Sequence, residues 1–218
     1  MNRTQRICIG FAALLLFGVE VQYGEAIAAD DDKTVRVFIF AGQSNMVGSD
    51  SKVQDIKRFP PFDGLADAQP DVRFSYSIGR ENKKNSDGWV ALQAVNNVVG
   101  PELSFARDVS RKIDAPIAII KCAAGGTHLG GDWNPDEPSG FRMYPLALKL
   151  VRSSLAALDR QKIPYRIEGF MWHQGENDMF NKDYMPNYGA NLANFLTRWR
   201  RDLNTPELKF YIGELCTK

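Results

Sequence analysis

Two apolar runs that break off into polar, glycine-bearing clusters constrain this chain more than any other feature. The first, residues 35–40, is rich in β-prone side chains and gives way to Gly42-Gln43-Ser44-Asn45-Met46. The second, Phe170-Met171-Trp172, runs into His173-Gln174-Gly175-Glu176-Asn177-Asp178. A short apolar run bounded by turn signals reads as a buried strand. Ser44 then falls on a strand-to-helix turn, where free backbone N–H groups and the positive end of a helix can stabilise an oxyanion. Two strands ending in such side chains on one sheet edge mark a candidate active site.

The remaining pattern supplies a sheet for those strands. Apolar runs at 35–41, 116–122, 167–173 and 208–215 read as four strands. Helical spacing appears over 101–113, with Pro in the first turn and Leu103, Ala106 and Val109 facing inward. It recurs over 145–159 (Leu146, Leu150, Leu155, Leu158) and over 184–203 (Leu192, Phe195, Leu196, Trp199). Strands alternating with helices predict an α/β/α sandwich, a parallel sheet covered on both faces with ligands at the carboxyl ends of its strands, and a serine that opens the domain fits a flavodoxin-like one. Ser44, the segment Gly125–His128 and Gln174 all follow such ends. Residues 49–97, rich in Pro, Asp, Asn and Gly, read as a long irregular excursion over the site with a short strand at 72–77. Trp89 and Trp133 sit in loops, either as sugar-stacking platforms or as buried packing residues.

Composition narrows the function by exclusion. The chain has 218 residues and a formal net charge of +1, which gives no electrostatic case for nucleic acid or an anionic membrane as partner. Arg3 and Arg6 precede an apolar stretch at 7–19, and Ala26-Ile27-Ala28-Ala29 offers small residues for cleavage. Residues 1–29 therefore read as a signal peptide that sends the protein to the periplasm or outside the cell, with an uncleaved anchor as the alternative. Residues 30–218 suffice for one domain and are too few for two. Of the three cysteines, Cys8 leaves with the signal, and Cys122 and Cys216 read either as a disulfide or, better, as two separate buried thiols. His173 and Glu176 can share a helical face, but two ligands without a third make a poor metal site. Neither a metal nor a cofactor is expected.

Four blocks in order carry a resemblance to a known family. Gly42-Gln43-Ser44-Asn45-Met46, Gly100-Pro101-Glu102-Leu103-Ser104-Phe105-Ala106, Gly125-Gly126-Thr127 and His173-Gln174-Gly175-Glu176 resemble the ordered blocks of the SGNH (GDSL-type) hydrolases. More narrowly, they resemble the sialate O-acetylesterase and acetylxylan esterase branch, carbohydrate esterase family six. The position of Ser44 agrees. It follows the first strand, and Met46 stands where an α/β-hydrolase elbow has its second Gly. The resemblance implies a serine esterase that deacetylates carbohydrates, with Ser44 as nucleophile. It implies an oxyanion hole made by the Ser44 N–H, a Gly N–H at Gly125 or Gly126, and the Gln174 side chain. Asn45, His128, His173, Trp89 and Trp133 are the candidate substrate contacts.

The sequence departs from the family at the base. A serine hydroxyl is a weak nucleophile until an imidazole held by a carboxylate removes its proton. In the family that imidazole comes from an Asp-x-x-His block after one more strand, whereas residue 218 follows directly on the predicted 208–215 strand. The domain is thus expected to be C-terminally incomplete. The chain has two histidines, His128 and His173, neither preceded by Asp at that spacing. Glu176 is either the acid partner of the absent histidine or a structural hydrogen-bonder that holds the Gln174 loop. His173, next to Gln174 on an extended segment, is expected to face the other way. Two alternatives to a carbohydrate acetylesterase follow: a non-catalytic carbohydrate-binding relic, and an SGNH esterase for other small esters. The oligomeric state is not legible in the sequence.

Overall fold

A computed structural model describes residues 33–81 and 83–215. The predicted signal peptide and Cys216 lie outside the described residues. The strands are β1 (Val35–Gly42), β2 (Gln69–Ile78), β3 (Lys84–Asn85), β4 (Val90–Leu92), β5 (Ile117–Ala123), β6 (Tyr165–His173) and β7 (Phe210–Ile212). The helices are α1 (Ser44–Val47), α2 (Pro101–Ser110), α3 (Met143–Arg160) and α4 (Tyr188–Asp202). All strands join one sheet in the order β3-β2-β5-β1-β6-β7, with β4 also paired to β2. Neighbours from β2 to β7 run parallel, and β3 and β4 are antiparallel to β2. β1 is buried along its whole length, as a central strand with helices on both faces must be. β5 lies across β1 from β6 and β7, which is the expected flavodoxin-like crossover.

Alternation along β1 splits the core in two. Val35, Val37, Ile39 and Ala41 face α3 and α4, where they meet Val151, Leu158, Phe195 and Trp199. Phe38 and Phe40 face α2, against Leu103, Ala106 and the half-buried ring of Phe105. Each large apolar side chain removed from water contributes about 1.5–3 kcal/mol, so both faces are strongly anchored. The α3/α4 side is largely aromatic. Trp172 lies 4.4 Å from Phe195, and Trp133 meets Trp172 edge-on at 5.1 Å.

The structure corrects several expectations. The 49–97 stretch is not simply an excursion, because it supplies β2, a ten-residue strand in register with all of β5. Its Ser75 and Ser77 suggest a solvated face but are buried, and Ser75 accepts a hydrogen bond from Ser154 of α3 at 2.8 Å. A polar residue buried with a partner defeats hydropathy patterning. On α3 the buried stripe is Met143, Tyr144, Ala147, Val151, Ser154, Leu155 and Leu158, so Leu146 and Leu150 stand at its flank, half-buried. β7 is shorter than predicted. α1 is a single turn closed by Gly48 in the left-handed region, so its macrodipole is small and the loose N–H groups of that turn matter more.

Candidate active site

The four sequence blocks meet at the carboxyl edge of the sheet. Gly42 is the contact between the first and fourth. A Cβ there would lie 2.1 Å from the His173 carbonyl oxygen, and that carbonyl accepts the Gln43 N–H at 3.0 Å. Only glycine lets β1 approach β6 so closely. Ser44 then opens α1, half-buried, with the third block against it. A Cβ on Gly125 would stand 3.7 Å from Ser44 Cβ. The N–H groups of Ser44, Gly125 and Gly126 have no acceptor among the described residues.

Glu176 sits between the two side chains that flank Ser44. Gln43 Nε2 donates to its Oε2 and Asn45 Nδ2 to its Oε1, while Asn177 Nδ2 donates to Gln43 Oε1. In this geometry both carboxylate oxygens are occupied by amides. Glu176 therefore clamps the Ser44 turn onto the loop after β6.

Gln174 does not present a free donor. It is 1% exposed, and its Nε2 donates to the Thr127 carbonyl at 2.9 Å and to Asp178 Oδ2 at 2.6 Å. Both amide hydrogens are committed, so its placement in the oxyanion hole is corrected to a tie between loops. The anchor of that tie is Asp178, which sequence reasoning quoted but gave no role. Its fully buried carboxylate also accepts the N–H groups of Leu129 and Gly130, each at 2.9 Å. One carboxylate thus fixes the loops after β5 and β6 to each other. The apolar context could not reveal it, because its partners are backbone groups some fifty residues upstream in sequence.

The second block lies beneath α1. Lys121 of β5 and Glu102 of α2 form a buried ion pair, Nζ to Oε2 2.5 Å, and Lys121 Nζ also lies 3.4 Å from the Val47 carbonyl. Burial pushes the Lys121 pKa down, and Glu102 opposes that shift. Gly100 has no side chain because a Cβ would fall 2.2 Å from both Glu102 Oε2 and Lys121 Nζ. The block that resembles a family signature is thus a packing device under the Ser44 turn.

The remaining candidates separate. Asn45 and His173 line an open groove of about 680 Å³ with Lys52, Asp55, Arg58 and Phe59. The His173 ring lies on Gly213, whose Cβ would come within 2.9 Å of Cγ, while Gln174 points the other way, as the alternation required. His128 is half-exposed, and its Nδ1 lies 3.4 Å from Asp132 Oδ2, so one histidine does have a carboxylate partner, four residues after it rather than before. Trp133 is corrected from sugar platform to core, fully buried with its Nε1 donating to Thr127 Oγ1 at 3.0 Å. Trp89 is likewise corrected: it packs on the α3 side and donates to the Ser154 carbonyl at 3.1 Å. The exposed aromatics of the groove that Asn45 and His173 line are instead Phe59 and Phe62. Among the described residues no group of three His, Cys, Asp or Glu side chains is placed to hold a metal ion, and no helix is long and apolar enough to cross a membrane. Cys122 is a buried free thiol.

A mostly parallel α/β sandwich with a serine-bearing turn at its carboxyl edge defines an SGNH-like hydrolase fold. Residues 34–218 match the family described as SASA, carbohydrate esterase, sialic acid-specific acetylesterase, and the chain belongs to that family. A probable carbohydrate esterase of Arabidopsis thaliana is 27% identical over 188 residues, covering 79% of this chain and 66% of that protein. The chain therefore spans just under two thirds of that relative. Its crystal structure superposes with a TM-score of 0.59 at 21% identity, over 81% of this chain and 72% of that one. NanS superposes at 0.60 and 20% identity, over 84% and 68%. A carbohydrate acetylesterase from Xanthomonas citri gives 0.51 at 18% identity, over 81% and 41%. These structural likenesses concern the fold.

Proposed function

We propose that this protein is an exported serine esterase that removes O-acetyl groups from carbohydrates through an acetyl-enzyme on Ser44. One observation carries the reading: Ser44 opens the turn at the end of β1, and Gly125 faces it so that a Cβ there would stand 3.7 Å from Ser44 Cβ. Ser44 Oγ attacks the acetyl carbonyl as its proton passes to a base. The tetrahedral oxyanion is received by the N–H groups of Ser44 and of Gly125 or Gly126. Such donors contribute about 10²–10³ each in turnover because they bind the oxyanion more tightly than the carbonyl. The sugar hydroxyl leaves with the proton, and water then releases acetate from Ser44.

Within the described residues, the imidazole that has a carboxylate neighbour is His128, with Asp132 on its Nδ1 and its Nε2 left free. A 3.4 Å contact is long, but catalytic hydrogen bonds often tighten only when substrate is bound. No hydrogen bond links His128 to Ser44 among the described residues, so its carboxylate neighbour makes it a residue to test as the base beside the Asp-x-x-His block of the family. Without any base, a serine site falls back to about 10³–10⁴ over water. The test is hydrolysis of p-nitrophenyl acetate and of an O-acetylated sugar by the wild type, Ser44→Ala and His128→Ala. Ser44→Ala is expected to abolish turnover with an unchanged melting temperature. Unchanged turnover by that variant overturns the assignment. Loss of turnover in His128→Ala assigns the base to the 128–132 loop, and retention assigns it elsewhere.

A further inference from the structure

We propose that Lys121 is a positioning residue for Ser44: its buried ion pair with Glu102 holds the one-turn helix α1 in the placement that presents the serine, and is not there for stability. The kinetic consequence rests on the esterase reading. Lys121 occupies a core position on β5, opposite Phe40 of β1 and Tyr76 of β2, and both it and Glu102 are buried. A fully buried lysine is rare and needs a partner. The pair itself returns little stability, because taking both charges out of water offsets their attraction. Apolar side chains of similar volume often serve as well or better. Packing alone therefore does not call for two charges at this place.

The turn above the pair needs outside support. Its backbone bonds are Val47 N–H to the Gln43 carbonyl at 2.8 Å, and Gly48 and Ser49 N–H to the Ser44 carbonyl at 2.9 and 3.1 Å. A single helical turn loses more chain entropy than so few bonds recover, so what it rests on sets its geometry. On one side Glu176 holds Gln43 and Asn45. From beneath, the ion pair reaches the turn by two routes. Lys121 Nζ donates to the Val47 carbonyl at 3.4 Å, one of the carbonyls at a helix end that lack an intrahelical partner. Gly48 meanwhile packs on Gly100: a Cβ on Gly48 would fall 2.8 Å from Gly100 Cα and 2.4 Å from the Val99 carbonyl oxygen. Gly100 in turn lies directly on the pair, where its own Cβ would meet Glu102 Oε2 and Lys121 Nζ at 2.2 Å. Val47 and Gly48 end the turn that Ser44 opens, so a shift at the pair tilts the serine.

The experiment replaces the charges by neutral side chains of similar size in two double variants, Lys121→Met with Glu102→Leu and Lys121→Met with Glu102→Gln. Either one that folds carries the test. Three quantities are measured: the melting temperature, kcat and KM for p-nitrophenyl acetate, and amide hydrogen exchange at Gly48 and Ser49 by NMR. The melting temperature should stay within about 4 °C of wild type or rise. KM should stay within about twofold, while kcat falls by roughly 10–100-fold, the cost of displacing a reacting group by about 1 Å. Exchange at the two amides, which both donate to the Ser44 carbonyl, should quicken by about tenfold or more. An unchanged kcat overturns the proposal, as does a kcat loss with unchanged exchange. A kcat loss that comes with a lower melting temperature, or failure of both variants to fold, makes the pair an ordinary support and also overturns it. If the wild type does not hydrolyse the ester, the esterase reading fails. Exchange then decides the positioning by itself, faster exchange at an unchanged melting temperature supporting it and equal exchange refuting it.

Discussion

Asp178→Asn is the sharpest probe of how the site is held together. The Asp178 carboxylate is fully buried and accepts three hydrogen bonds, from the N–H groups of Leu129 and Gly130 and from Gln174 Nε2. Asn keeps the shape but replaces one acceptor oxygen with an NH₂ group. One buried N–H then loses its acceptor, at a cost of about 1–3 kcal/mol, and the remaining bonds lose their charge assistance, about 1 kcal/mol each. Removing a buried charge recovers part of its desolvation cost. The net expectation is a loss of ~2–4 kcal/mol. For a domain of this size that lowers the melting temperature by roughly 4–16 °C. The assay is calorimetry of the purified variant beside p-nitrophenyl acetate turnover measured well below the transition. A shift of less than about 2 °C would refute the claim that Asp178 ties the two loops together. Gln174→Ala belongs in the same experiment, because its amide is the second half of that tie. It should register first as lost stability; a fall in kcat of about 10²–10³ at an unchanged melting temperature would return its amide to the oxyanion hole.

Two further outcomes follow from burial. Trp133→Phe should destabilise by about 2 kcal/mol in urea unfolding, through lost core volume and the lost bond to Thr127, with KM for an acetylated sugar within about twofold of wild type; a raised KM at unchanged stability would make Trp133 a sugar contact after all. Burial pushes the Cys122 thiol up to about 12, above its ordinary value of 9.0, with Lys83 opposing. The folded state therefore holds that proton more tightly than the unfolded chain does. Its contribution to stability is full below pH 9.0 and is lost as pH rises towards about 12. Melting temperatures measured from pH 7 to 11 should decline above about 9 in the wild type and decline less in Cys122→Ala, and parallel curves would refute the assignment.

The sequence by itself determined the elements whose physics is local. β1, β5 and β6 each contain an unbroken apolar stretch, at 37–41, 117–120 and 170–172, as strands packed on both faces require, so their positions were legible to within a residue or two. Ser44 was legible for the same reason, as a polar residue where such a run stops. The alternation of strand and helix made the parallel sheet legible, and the order of β5, β1 and β6 came with the flavodoxin-like fold class. What tertiary structure decided is how polar groups pair across distance. Ser75 and Ser77 hide β2 from a hydropathy reading because Ser75 finds its partner on α3. Trp133 looks like a loop aromatic until the α3/α4 core closes over it, and Trp89 until it packs, half-buried, on the α3 side. Gln174, Glu176 and Asp178 follow one apolar run within five residues, and nothing local says which is free. The fold assigns them by supplying the Gln43 and Asn45 amides to Glu176, the Thr127 carbonyl to Gln174 and two backbone N–H groups to Asp178. A hydrogen bond or ion pair is a property of two positions, and a linear pattern records only one of them at a time.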